Sequence, residues 1–98
     1  MATWEAHILY THSTASMSAS SGAVLAANTN RRYALIQNDG AVDVYIKIGA
    51  TAVANQGIRV AANGGFFEIG PAFGNLTHLA INGITASGTA TMLVTEGT

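Results

Sequence analysis

The chain has 98 residues, four Lys and Arg against five Asp and Glu, a net charge of −1 and no cysteine. Its length suits one domain that buries roughly two-thirds of its unfolded surface, and the lack of cysteine excludes a disulfide framework and a thiolate metal site. Charged residues make up 9% of the chain against about 25% in an ordinary soluble domain; neutral small residues must therefore cover the outside, and four basic residues give counterion release on nucleic acid little to work with.

The N-terminal "MATWEAHILY" lacks the basic start and apolar stretch of a signal peptide, and no apolar run approaches the roughly 20 residues that span a bilayer, so no membrane partner is expected. Trp4, Ala6, Ile8 and Tyr10 alternate with Glu5, His7 and Leu9, as in a strand or an extended arm that needs a partner surface. The next segment, "THSTASMSASSG", is either a flexible Ser-rich linker or a strand in which Ala15, Met17 and Ala19 alternate with serines. Residues 1–21 are accordingly read as an N-terminal arm or edge strand, and residues 22–98 as the folded domain.

Within that domain "AVLA" reads as a strand, "AANTN" as a turn and "RRYALIQ" as a strand. "NDG" signals a hairpin, because Asn, Asp and Gly tolerate the backbone of tight turns. "VDVYIKI" places Val42, Val44, Ile46 and Ile48 on one face and Asp43, Tyr45 and Lys47 on the other. "ATAVANQG" is a connection without clear structure. "IRV" and "FFEI" read as a second hairpin about Asn63 and Gly64, "GPAFGN" as a loop, and "LTHLAI" with "TATMLVT" as a last pair. Seven or eight short strands divided by Gly/Asn turns predict an all-β fold: a single small antiparallel β-sandwich, jelly-roll-like, with an extended N-terminal segment. The expected core is Leu25, Leu35, Val44, Ile46, Ile48, Ile58, Val60, Phe67, Ile69, Leu79, Ile81, Met92 and Val94.

Groups with chemical potential are scattered. His7, His12 and His78 are the natural metal ligands, but none is spaced with a carboxylate as a site requires. Glu5, Asp39, Asp43, Glu68 and Glu96 form no acid–base pair, no serine lies in a G-x-S-x-G elbow, and the glycine-rich segments match no phosphate-binding motif. No enzymatic activity and no cofactor are expected. "NLT" at Asn75–Thr77 matches a glycosylation acceptor, which without a secretory signal is read as chance. Arg31 and Arg32 are half of all basic residues; adjacent strand residues face opposite ways, so one guanidinium is expected near the core edge. It would serve as a clamp between strands or loops, or as an intersubunit ion pair to Asp39, Asp43 or Glu68. Trp4, Tyr10, Tyr33 and Tyr45 would suit a sugar platform, with Tyr33 and Tyr45 facing across the "NDG" turn, or cross-strand pairing that stabilises a sheet.

The run "VLAANTNRRYALIQNDGAVDVYIKIGATAVANQGIRVAANGGFFEI", followed by "ASGTATMLVTEG", resembles small structural proteins encoded in the virion gene blocks of tailed bacteriophages. The likeness covers roughly residues 23–97 and carries no catalytic residue. It implies a non-enzymatic virion component, best matched by a capsid decoration (cement) protein, with a tail, fibre or head-to-tail module as the alternative. It further implies a homotrimer made in the host cytoplasm that sits on the outer surface of the capsid. The partner would be the major capsid protein, bound through the N-terminal segment and loops. A carbohydrate-binding sandwich for host attachment is the rival from another class. The residues expected at contacts with other chains are Trp4, His7, Tyr10, Arg31, Arg32, Asp43, Tyr45 and Arg59.

Overall fold

The computed structural model describes residues 8–98. Eight strands run in chain order: β1 (Tyr10–Met17), β2 (Gly22–Leu25), β3 (Tyr33–Asn38), β4 (Val44–Ile48), β5 (Ile58–Val60), β6 (Phe66–Ile69), β7 (Ile81–Thr85) and β8 (Ala90–Gly97), with one 3-10 turn at Pro71–Phe73. They form two four-stranded antiparallel sheets, ordered β1-β8-β3-β6 and β2-β7-β4-β5. The protein is an all-β sandwich, as its short strands and frequent turns predict. The Ser-rich segment resolves in favour of a strand: β1 pairs with β8 along its whole length, from Tyr10 opposite Gly97 to Met17 opposite Ala90.

The pairings differ from the sequence expectation in one systematic way. "NDG" does not close a hairpin, because β3 and β4 lie in different sheets; the same holds for β5 and β6 and for β7 and β8. Among the described residues the sole sequence-adjacent pair is β4 with β5, joined by the "ATAVANQG" connection that had no clear structure. Turn chemistry reports that the chain reverses, and says nothing about whether the next strand stays in the sheet or crosses to the other one. In "NDG", Gly40 is needed for close approach: a Cβ there would lie 2.6 Å from the Ala90 Cβ. The "AANGG" turn does use the left-handed region, at Asn63 (φ 61) and Gly64 (φ 106), but it too passes between sheets, with the Asn63 N–H donating to the Gly40 carbonyl at 2.8 Å.

Alternation fills the space between the sheets with Val24, Leu25, Ala34, Ile36, Val44, Ile46, Val60, Ile69, Ile81, Met92 and Val94, joined by Met17 from the edge strand. Met17 lies over Gly83 of β7, where a Cβ would sit 2.7 Å from its sulfur; the long unbranched side chain fills the room the glycine leaves. Two expected core positions need correction. Leu35 is on the outer face of β3, while Ala34 and Ile36 are fully buried, a one-residue register choice that swaps faces. Leu79 precedes β7 and is exposed. Ile48, like Ile58 and Phe67, packs on the core only partly buried.

Three polar side chains belong to the interior. Asn38, at the end of β3, is fully buried and ties the sheets together: its amide donates to the Val42 carbonyl (2.8 Å) and the Val60 carbonyl (3.0 Å), and its Oδ1 accepts from the Gly40 N–H (2.8 Å). Arg31 and Thr85 are the others. Among the described residues no buried side-chain nitrogen or oxygen lacks a partner.

Candidate functional site

Arg31 leaves the expected contact set. It is 1% exposed, and its Nε donates to Glu96 Oε2 at 2.8 Å. One terminal nitrogen donates to the carbonyls of Thr77 and Leu79 (both 2.9 Å), the other to the Ala26 carbonyl (2.6 Å). The planar fork thus holds the loop after β2, the segment before β7 and strand β8 in one place. This is the clamp within one chain, and its carboxylate is Glu96 rather than Asp39, Asp43 or Glu68. Arg32, next along, is exposed.

The outer faces of the two sheets differ in charge. On β2-β7-β4-β5 the structure brings together three expected residues. Tyr45 stands directly opposite Arg59, and Asp43 lies 4.0 Å from the Arg59 guanidinium while its Oδ1 accepts from the Ala62 N–H at 2.8 Å. The Asp43–Arg59 pair is exposed on both sides and contributes little to stability. Lys47 stands on the same face with its Nζ 3.3 Å from Gln56 Oε1. A hollow of about 290 Å³ opens here between Asp43, Tyr45, Ala86 and Ser87.

Among the described residues no strand position on the outer face of β1-β8-β3-β6 is a lysine, arginine or aspartate; Asp39 lies just past the end of β3, its N–H donating to the Thr91 carbonyl at 2.9 Å. The rows of this face, read across the registers, are Ser16 and Thr91; Thr14, Leu93, Gln37 and Phe66; His12, Thr95, Leu35 and Glu68; and Tyr10, Gly97 and Tyr33. Phe66 is 63% exposed and Tyr10 55%. A shallow trough of about 400 Å³ runs between His12, Thr14, Gln37, Leu93 and Thr95. The one acidic group of these rows, Glu68, is held within the face by the Tyr33 hydroxyl, which donates to it at 2.6 Å. Tyr33 pairs with Tyr10, not Tyr45: their rings meet edge to face at 6.0 Å across Gly97. Sequence reasoning assigned Leu35 inward; Phe66 and Leu93 alternate with the expected core residues Phe67, Met92 and Val94 and so fell outside the expected core, but neither was expected at a contact surface.

The hydrogen bond to Glu68, followed by burial and by the Glu68 charge, pushes the Tyr33 hydroxyl up to about 12 from 10.0. A raised value favours the neutral phenol, so this contribution to folding is complete below about pH 10 and is lost as pH rises through 12. Ultraviolet titration of the folded protein will show one tyrosine ionising near pH 12, and Glu68→Gln will bring that transition down; a transition unmoved by Glu68→Gln would contradict the assignment.

Trp4, His7 and Glu5 lie outside the described residues. His12 donates to or accepts from Thr95 Oγ1 at 2.9 Å, and His78 is exposed on the loop before β7. Among the described residues no three His, Asp or Glu side chains converge on a point where a metal ion would sit. The side chain of Asn75, in the "NLT" triplet, bridges the Gly70 N–H (3.0 Å) and the Glu68 carbonyl (2.9 Å). Comparison with family models, with curated proteins and with solved structures returned no match.

Proposed function

We propose that this chain is a non-enzymatic virion protein of a tailed phage, a capsid decoration protein that binds the assembled major capsid protein and reinforces the shell. The observation that carries the proposal is the outer face of β1-β8-β3-β6, broad, with no lysine or arginine at its strand positions, and with the single carboxylate of those positions already hydrogen bonded inside the chain. Such a face is inexpensive to desolvate, and apolar side chains such as Phe66 and Leu93 gain by being covered. The strand order supports the finer reading of the sandwich as a jelly roll: β1 with β8, β2 with β7, β3 with β6 and β4 with β5 are the pairs of one long antiparallel ribbon wrapped over two layers.

The mechanism is mechanical. A clamp that binds the assembled lattice and not free subunits stabilises the lattice by mass action, and repeated copies add avidity. On this reading, which follows the resemblance to phage virion proteins, the clamp sits on the outer capsid surface as a homotrimer. In the test, purified protein is sedimented with capsid shells stripped of it. The wild type will pellet with shells and not with unassembled capsid protein. Leu93→Lys, an exposed change, will lose at least tenfold in shell affinity, since it brings an uncompensated charge into a dry contact. Equal binding by the variant would remove this face from the contact.

The hollow beside Tyr45 favours a second reading, a sugar site for host attachment, because an aromatic face flanked by the Asp43 carboxylate and the Ser87 hydroxyl suits a pyranose ring. Glycan-array binding abolished by Tyr45→Ala supports that reading in place of decoration.

A further inference from the structure

Four strands end the two sheets, and three of them are protected. β6 and β2 have four residues each and β5 has three. β2 also carries a register irregularity between Ala23 and Leu25, and β5 presents Arg59. Short length, bulges and charge are the usual defences of a sheet edge against pairing with another chain. β1 has none of them: its eight residues, "YTHSTASM", contain no Lys, Arg, Asp, Glu or Pro, and its register to β8 runs without a break. Among the described residues no strand lies on its other side.

The backbone of this edge can be oriented residue by residue. Leu9 and Thr98 exchange both hydrogen bonds, N–H to carbonyl at 2.9 Å in each direction. In an antiparallel ladder bonded and non-bonded pairs alternate, so with an unbroken register Thr11, Ser13, Ala15 and Met17 face β8 with their peptide groups. The N–H and C=O groups of Tyr10, His12, Thr14 and Ser16 therefore point to the open side.

We propose that β1 pairs with β1 of a second copy, antiparallel and about a two-fold axis at Ser13, to make one continuous eight-stranded sheet. Two requirements choose this register. Residues opposite one another must present side chains to the same face, so even positions meet even positions, and the bonded pairs must use the open-side groups. Centring on Ser13 sets Tyr10 against the partner's Ser16 and His12 against the partner's Thr14, which engages all four open residues of each strand in about eight hydrogen bonds. Centring on Thr14 instead would set Tyr10 opposite the partner's Ser18, beyond the end of the strand. A two-fold contact brings the same patch together twice, and an uncharged strand meets its copy without repulsion. The inference concerns the free protein and stands apart from the capsid reading.

The chain has no cysteine of its own, so a single introduced thiol reports the register. In Ser13→Cys the two sulfurs belong to a non-bonded pair with Cα atoms about 4.5 Å apart, within the range a disulfide spans. Mild oxidation will cross-link most of that variant, whereas Ala72→Cys, exposed on the 3-10 turn, will stay uncross-linked. Analytical ultracentrifugation of the wild type will give twice the chain mass. Thr14→Pro removes an N–H that β8 does not use, so it will give the monomer mass with an unchanged far-ultraviolet circular dichroism spectrum. A monomeric wild type at millimolar concentration, a dimer that survives Thr14→Pro, or a trimer in which Ser13→Cys fails to cross-link overturns the inference. None of these outcomes bears on whether the protein binds shells.

Discussion

Replacing Arg31 by methionine will lower the stability of the sandwich by about 3–5 kcal/mol, the cost of breaking a buried ion pair by removing one partner. The change leaves Glu96 in a site only 17% exposed with no cation, and it deprives the carbonyls of Ala26, Thr77 and Leu79 of their donor. For a domain of this size each kcal/mol lowers the melting midpoint by about 4–8 °C, so the variant will melt far below the wild type. Arg31→Lys will recover only part of the loss, because an ammonium cannot reach four acceptors with the geometry of a planar fork. Glu96→Gln in the Arg31→Met background will cost less than in the wild type, the sign of coupling that a thermodynamic cycle measures. Additive losses would mean that the two side chains act independently, against the 2.8 Å contact.

Asn38→Ala is the second large effect, with an expected loss of about 2–4 kcal/mol, since each buried polar group left without a partner costs roughly 1–3 kcal/mol. The substitution strands the Gly40 N–H and takes the side-chain donor from the carbonyls of Val42 and Val60. Those groups lie where the chain passes between sheets after β3 and at the end of β5, so the damage falls on the seam that aligns the two layers. Gln37→Ala, one residue earlier but on the outer face, will stay within about 0.5 kcal/mol, the usual range of surface changes. Chemical denaturation of the two variants side by side checks the contrast; similar losses would show that burial of the Asn38 amide is not what matters.

These two residues also mark where the sequence was legible. The alternation in β4 is unambiguous because Val44 and Ile46 are apolar while Asp43, Tyr45 and Lys47 are polar, and the structure places each on its expected face. In β3 both faces carry apolar residues, Ala34 and Ile36 against Tyr33 and Leu35, so period two cannot say which points inward. The buried Arg31 was readable as a clamp, but its partner lies 65 residues away and depends on how β8 threads between β1 and β3. Turn residues were found correctly and their consequence was not. Asn38, Asp39 and Gly40 have the composition of a hairpin turn, yet Asn38 is a buried strut and Gly40 packs on Ala90.

The candidate surface was harder still to foresee. A low charge count predicts a neutral exterior on average, whereas the folded chain sorts its charges: Asp43, Lys47 and Arg59 fall on one outer face, and the other keeps Glu68 alone at its strand positions. That sorting depends on the three-dimensional order of strands distant in sequence. It also separates the expected contact residues, leaving Tyr10 on the face that keeps Glu68 and Asp43, Tyr45 and Arg59 on the other.

The central claim, that the chain is a shell component bound to a repeating lattice, is tested most directly by its copy number in purified virions, measured by quantitative mass spectrometry against the major capsid protein. Decoration predicts hundreds of copies per particle, in a fixed ratio to the capsid protein. A handful of copies per particle, or none, would contradict it.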